Sequence, residues 1–367
     1  MRARSEHENL RQTMQPDDRT PVMLLTGFLG SGKTTLLNAW LRSPELANAA
    51  VVVNEFGEIG IDHALIASSN DNTIELSTGC LCCTVRGDLV NTLRELHVKR
   101  EKNEVRAFDR LVIETTGLAD PAPVIQALMT FPVARRFRLR QVVTTVDVVN
   151  GADTLASHLE SVKQAAVADD IILTKIDLVG AALVDLTKRL KQINPGAKIH
   201  RSAPGRIPSP DTLMAADIYD PGTKHTDVLQ WLNAEAYLQG KEHDHSHHNH
   251  HDVTRHNAEI GSFCLNYDEP LYWEHVANWL DALVMAHGEQ LLRVKGIVNV
   301  VGRSRPIVVQ AVQHLFHPPF ELPTWPSDDR KSRIVFITRN LPREFVREVL
   351  DTIRQRRIPS APGQKIA

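Results

Sequence analysis

"PVMLLTGFLGSGKTTLLNAW", residues 21–40, decides how the rest of the chain is read. An apolar run at Val22–Leu25 leads into Gly27-Phe28-Leu29-Gly30-Ser31-Gly32-Lys33-Thr34, a full match to G-x-x-x-x-G-K-[ST], and a helix-forming stretch follows from Thr35. Strand, glycine-rich loop and helix in that order make the motif a phosphate cradle. Gly27, Gly30 and Gly32 let the backbone wrap round an anion with no Cβ in the way. The N–H groups of the loop, Ser31 to Thr35 included, and the helix N-terminus then face the phosphates. Lys33 is expected to reach the β- and γ-phosphates as a catalytic cation, and Thr34 to offer its hydroxyl to Mg²⁺.

Further apolar runs, at 50–54, 73–76, 110–114, 141–148 and 170–174, are separated by helical stretches at 33–42, 86–100, 121–131 and 180–193. Continuous Val/Ile/Leu runs with crossover helices predict a mostly parallel sheet covered on both faces, the α/β architecture of a P-loop NTPase. This unit is expected to span 21–232, after an N-terminal arm at 1–20 without order. Residues 233–258 read as a solvated linker, since "GKEHDHSHHNHHDVTRH" has no apolar periodicity. A smaller α+β domain is expected at 259–356. It has strands at 260–267, 291–302, 306–316 and 332–338, of which 291–302 and 306–316 pair across a short polar turn, and helices at 270–287 and 342–356.

Composition narrows the classes. The net charge of −2, from 42 basic and 44 acidic residues, gives no reason to expect nucleic acid or an anionic membrane as partner. Four cysteines are too few for a disulfide framework in 367 residues and point to a reducing compartment. The first 20 residues lack the apolar core of a signal peptide, and no run of about 18 apolar residues occurs. The expectation is a soluble, cytoplasmic protein, a monomer or weak homo-oligomer.

Two more elements join the phosphate loop. "LVIETTG" ends an apolar strand with Glu114, which can hold Mg²⁺ directly or through water, and the N–H of Gly117 can bond a γ-phosphate. "LTKID", 173–177, resembles the N-K-x-D element that reads guanine. Asp177 would accept hydrogen bonds from the ring N–H and amine of guanine, the stem of Lys175 would lie along the base, and Thr174 stands where Asn is commoner. Adenine offers neither donor, so a buried Asp177 would be left unpaired at a cost of roughly 1–3 kcal/mol. The nucleotide expected is therefore GTP.

"GCLCC" puts Cys80, Cys82 and Cys83 between the phosphate loop and the Glu114 strand, the interval that responds to a γ-phosphate in P-loop switches. Three thiolates can supply most of a tetrahedral Zn²⁺ site, and an incomplete set leaves a position open for transfer. A redox pair is the alternative. "NEFGEIGID", 54–62, offers Glu55, Glu58 and Asp62 as further ligands, with Glu58 also a candidate for orienting the attacking water. His243, His245, His247, His248, His250 and His251 in the linker can collect ions weakly and exchange them fast. Cys264, alone in a strand, reads as core.

The set "LLTGFLGSGKTTLL", "NEFGE", "GCLCC", "LVIETTGLADP" and "LTKID" closely resembles the CobW/YjiA-type family of P-loop GTPases. "LLRVKGIVNVVG" and "VVQAVQHLF" are similar to the second domain of that family. The resemblance implies a slow GTPase that binds zinc or cobalt at Cys80, Cys82 and Cys83 and delivers it to client metalloproteins, with GTP state setting metal affinity. Val53 stands where some relatives carry a Glu that helps bind metal. The readings left open are a non-catalytic zinc buffer and a GTPase that assists cobalt insertion into a cofactor or enzyme.

Overall fold

The computed structural model describes residues 18–54, 73–76, 84–178, 182–214, 228–229, 232–237 and 260–355. Seven strands form a wholly parallel sheet: β1 (Thr20–Gly27), β2 (Ala49–Asn54), β3 (Thr73–Leu76), β4 (Arg110–Thr115), β5 (Phe137–Asp147), β6 (Asp170–Thr174) and β7 (Lys198–Arg201). Their order is β3-β2-β4-β1-β5-β6-β7, so the strand that ends in the phosphate motif is central. The helices are α1 (Lys33–Leu41), α2 (Thr84–Glu101), α3 (Ala122–Met129), α4 (Gly151–Ser157), α5 (Leu159–Val167), α6 (Ala182–Ile193) and a single turn, α7 (Pro210–Leu213).

The unbroken apolar run of β1 reflects burial on both faces. Val22 and Leu24 join Leu89, Leu93, Ala122 and Ile125 in one core, whereas Met23 and Leu25 join Leu36, Leu37 and Trp40 in another. The strand alternation thus sends successive side chains to opposite helical layers. Four elements of this unit were not anticipated, the single turn α7 among them. The edge strand β7 is "KIHR", with no apolar run to mark it. The helices α4 and α5 have seven and nine residues and are separated by an extended His158, too short for a clear helical period.

The second sheet is antiparallel throughout. It comprises β8 (Ile260–Tyr267), β9 (Leu291–Val298), β10 (Ile307–Val312), β11 (Leu315–Phe316), β12 (Phe320–Glu321) and β13 (Ser332–Arg339). The order is β11-β10-β9-β13-β8, with β12 also on β10. Helices α8 (Trp273–His287) and α9 (Arg343–Gln355) cover one face, where Ile334 and Phe336 pack against Trp279, Leu283 and Val346. The intervening Val335 and Ile337 turn the other way, into a core shared with Val162, Leu190 and Ile193 of the first unit. Cys264 is buried in that same core. Both faces of this sheet are therefore covered, one by its own helices and one by the parallel-sheet unit.

Residues 234–237 correct the expected linker boundary. Ala234 and Tyr237 are buried in the shared core, and the Tyr237 hydroxyl donates to Asn194 Oδ1 at 3.1 Å. One aromatic side chain anchors a segment that its polar neighbours had marked as solvated. The rest of the histidine tract lies outside the described residues.

A largely buried charge cluster joins the two sheets. Asp169, just before β6, accepts from Arg293 Nη2 and Lys295 Nζ, both at 2.6 Å, and from the Val142 amide at 3.0 Å. Arg293 also donates to the carbonyl of Val167. No described helix is long and apolar enough to cross a membrane.

Candidate nucleotide site

The site lies at the C-terminal ends of the parallel strands, where open α/β sheets bind ligands. β1 ends at Gly27, and the loop turns with φ of +143° at Gly27, +69° at Gly30 and +90° at Gly32. A Cβ on Gly27 would stand 2.3 Å from Thr145 Oγ1 and 2.7 Å from Ser31 Oγ, so only glycine fits there. Under the loop, Ser31 Oγ and Thr145 Oγ1 share a 2.7 Å hydrogen bond. α1 starts at Lys33 with Gly32 as its N-cap, which brings no side chain to the first amides, and its first turn holds no acidic residue. The helix N-terminus is thus left to attract an anion. Lys33 is buried, and its Nζ donates to the carbonyls of Gly27 at 2.9 Å and Phe28 at 3.2 Å.

Glu114 reaches the same corner from β4. Its Oε1 accepts from Thr34 Oγ1 at 2.9 Å, and the side chain is buried. A threonine hydroxyl and a carboxylate in contact beside a phosphate loop suit Mg²⁺, a hard cation that takes oxygen ligands. Gly117 lies against the phosphate loop: a Cβ on it would meet the Leu29 amide nitrogen at 2.6 Å. Buried Gln164, on α5, donates from Nε2 to the carbonyls of Gly117 at 3.2 Å and Ala119 at 3.0 Å, which fixes the path of this segment.

On the far side of the loop, β6 ends at Thr174, whose hydroxyl donates to the Ser31 carbonyl at 2.7 Å. Thr174, expected at the base site in the place where Asn is commoner, therefore braces the phosphate loop. Lys175 has φ +57° and its ammonium is 2.6 Å from Asp147 Oδ2. Asp147 also accepts from the Val149 amide and Asn150 Nδ2, each at 2.8 Å. Burial resists ionisation of Asp147, but these hydrogen bonds and the Lys175 charge outweigh it and hold its carboxyl below the usual range. Asp177 lies in the turn Ile176–Leu178 and is exposed. That differs from the buried carboxylate of the sequence reading.

Two features escaped the sequence reading. Asp147 closes an apolar strand as Glu114 does, a signal that was there to be used. The loop after β7 is tied to β6 through Ser202 N, which donates to the Leu173 carbonyl at 2.8 Å, and so borders Thr174–Asp177. Glu55, Glu58, Asp62, Cys80, Cys82, Cys83 and the six candidate histidines of the linker lie outside the described residues.

Comparison with known proteins agrees with this geometry. Residues 21–201 match the CobW/HypB/UreG nucleotide-binding domain, and 260–354 the C-terminal domain of the cobalamin synthesis protein CobW. The zinc chaperone YjiA of Escherichia coli is 31% identical over 335 residues, which cover 91% of this chain and 98% of that protein. The chain belongs to the CobW/YjiA family of P-loop GTPases. The zinc chaperone CobW of Pseudomonas aeruginosa is 32% identical, with 91% of each chain covered. The zinc-regulated GTPase metalloprotein activator 1 of Schizosaccharomyces pombe is 30% identical, over 89% of this chain and 84% of its own. The crystal structure of Zn(II)-bound E. coli YjiA GTPase superposes with a TM-score of 0.65 at 27% identity, covering 93% of this chain and 100% of that one. The parallel sheet with its helices and the antiparallel C-terminal sheet are thus a shared architecture of this family.

Proposed function

We propose that this CobW/YjiA-family protein hydrolyses GTP and uses the change to load and release zinc, which it hands to a client metalloprotein. The observation that carries the reading is the Thr34–Glu114 contact with Gly117 against Leu29, because it gathers a cation-binding corner and a γ-phosphate donor at one edge of the sheet. β2 and β3 end at that same edge, at Asn54 and Leu76, and the sequence runs on from them into "EFGEIGID" and "STGCLCC". The zinc chaperone names of the relatives support zinc as the ion carried, and cobalt is the other metal the thiols suit.

In this reading, Gly27 to Thr35 hold the α- and β-phosphates through backbone amides, and Lys33 turns from the loop carbonyls to the β- and γ-oxygens. Bound Mg²⁺ would offset charge on those oxygens, with Thr34 and Glu114 as its side of the site. The Gly117 amide donates to the γ-phosphate, and Asp177 accepts from guanine while Asp147 keeps the Lys175 stem extended beside the base. Glu58 orients water for cleavage of the β–γ phosphoanhydride bond, which yields GDP and phosphate. Cys80, Cys82 and Cys83 hold zinc as thiolates, so loading releases protons. A 100-fold difference in zinc affinity between GTP and GDP states is about 2.7 kcal/mol, within the usual range for coupled sites.

Native mass spectrometry with limiting zinc, in GDP and in a non-hydrolysable GTP analogue, tests this. One zinc is expected per chain with the analogue, less with GDP, and none once Cys82 and Cys83 are both serine. Equal zinc occupancy in the two nucleotides reduces the protein to a buffer.

A further inference from the structure

Gln313 occupies the tip of the β10–β11 hairpin with φ +49°, a left-handed conformation that Gly or Asn adopts far more readily than Gln. Its amide Nε2 reaches into the parallel-sheet unit and donates to Asp120 Oδ2 at 2.9 Å. The same oxygen accepts from Lys163 Nζ at 2.6 Å, and the other, Oδ1, accepts at 3.0 Å from the amide of Ala122, the first residue of α3. Asp120 is three residues past Gly117, and Gln164 holds the carbonyls of Gly117 and Ala119 between them. Val312, beside Gln313, is buried in the core that α3 shares with β1.

A non-glycine residue persists at such a φ only where its surroundings fix it, and such positions gather at switch regions. Here the Gln313 amide also donates to the Leu291 carbonyl at 2.9 Å, and its side chain has one described acceptor, Asp120. Among the described residues, the second sheet therefore meets the segment that follows Gly117 through the Gln313–Asp120 hydrogen bond, with Val312 packed in the core of the helix that comes next. Gln164 and Lys163 make that segment stiff, so a shift at Gly117 is transmitted to Asp120. Gln313 must then follow or let go.

We infer that Gln313 is a positioning residue that couples the Gly117–Asp120 segment to the second sheet, so that the hairpin at 307–316 responds to the nucleotide bound. The inference rests on the proposed contact between the Gly117 amide and a γ-phosphate. A different anchor, Asp169 with Arg293, keeps the two units together at the other edge of the sheet. Loss of the Gln313 contact therefore uncouples the units without separating them.

Hydrogen exchange of the full chain with GDP and with a non-hydrolysable GTP analogue tests it, with nucleotide affinity and thermal midpoint measured on the same samples. Exchange at 307–316 is expected to differ by about fivefold or more between the two nucleotides in the native protein. Gln313→Leu, which lacks a donor, should erase that difference while nucleotide affinity stays within about twofold of native. Gln313→Lys, which keeps a donor toward Asp120, should restore it, a rescue that a merely structural role does not predict. A native difference that survives in Gln313→Leu overturns the inference, as does equal exchange when both nucleotides bind. Failure of the analogue to bind instead overturns the nucleotide reading on which the inference rests.

Discussion

The two edges of the parallel sheet solve opposite problems with charge. At the C-terminal edge the phosphate loop meets an anion with backbone amides, glycines and a helix N-terminus, and its side chains mostly brace one another: Ser31 on Thr145, Thr174 on Ser31, Thr115 on Thr26. At the N-terminal edge Asp169 is closed in with two cations from another sheet. The first arrangement leaves its charge-binding groups for a ligand that comes and goes. The second satisfies them inside the protein, permanently. The difference separates a working site from an anchor, and it can be probed by removing one group at a time.

The largest effect is expected at the anchor. Asp169→Asn removes the carboxylate that Arg293 and Lys295 both contact, and breaking a largely buried pair in this way costs about 3–5 kcal/mol. Urea unfolding at neutral pH should show the loss, while GTP affinity of the folded fraction is unchanged. Replacing Lys295 by Met should cost far less, within about 1 kcal/mol, because a buried cation returns its desolvation cost when removed. The anchor has two cations for one carboxylate. Burial, and then Arg293, pushes the Lys295 ammonium down to about 8, so it is the surplus charge. For Asp169 burial opposes ionisation, but Arg293, Lys295 and the Val142 amide outweigh it and hold the carboxyl below its ordinary 3.8. Its ionised form thus stabilises the fold fully above that ordinary value, and the contribution is lost as pH falls through the lower folded value. The urea midpoint of the native protein should decline over that acid range more steeply than that of Asp169→Asn.

At the other edge the effects fall on activity. Lys33→Ala should lower kcat for GTP by about 10²–10³, the usual cost of deleting one preorganised charge donor, with little change in unfolding. Equal turnover in this variant would mean that Lys33 is not part of the catalytic machinery. Asp177→Ala should weaken GTP binding by about 1–3 kcal/mol and leave ATP binding where it was, as read by competition against a fluorescent nucleotide. A parallel loss for ATP would move the base away from Asp177.

The same contrast explains what the sequence made legible. The phosphate loop was readable because amide chemistry demands glycine at fixed spacing, and φ of +143°, +69° and +90° at three glycines is the structural counterpart. Glu114 and Gly117 were readable as a strand tip with a glycine just beyond it. Asp147 was passed over because its partner, Lys175, is 28 residues away and neither residue marks the other. Arg293 and Lys295 alternate with apolar residues along β9, as side chains facing water also would. Nothing local says that a second domain covers that face. β7 lacks an apolar run because it is an edge strand whose residues are only partly covered.

Thr174 gives the smallest effect and the finest discrimination. Its hydroxyl is buried and donates to the Ser31 carbonyl at 2.7 Å, with the Val146 carbonyl at 3.4 Å. Thr174→Val keeps the shape and removes the donor, which leaves the Ser31 carbonyl short of one hydrogen bond at a cost of about 1 kcal/mol. That carbonyl belongs to the phosphate loop, so the loss should appear equally for GTP and ATP, at about fivefold in affinity for each. A residue that read the base would show a loss for GTP alone, as Asp177 should. Measured side by side, the two variants separate bracing of the phosphates from recognition of guanine at positions only three residues apart.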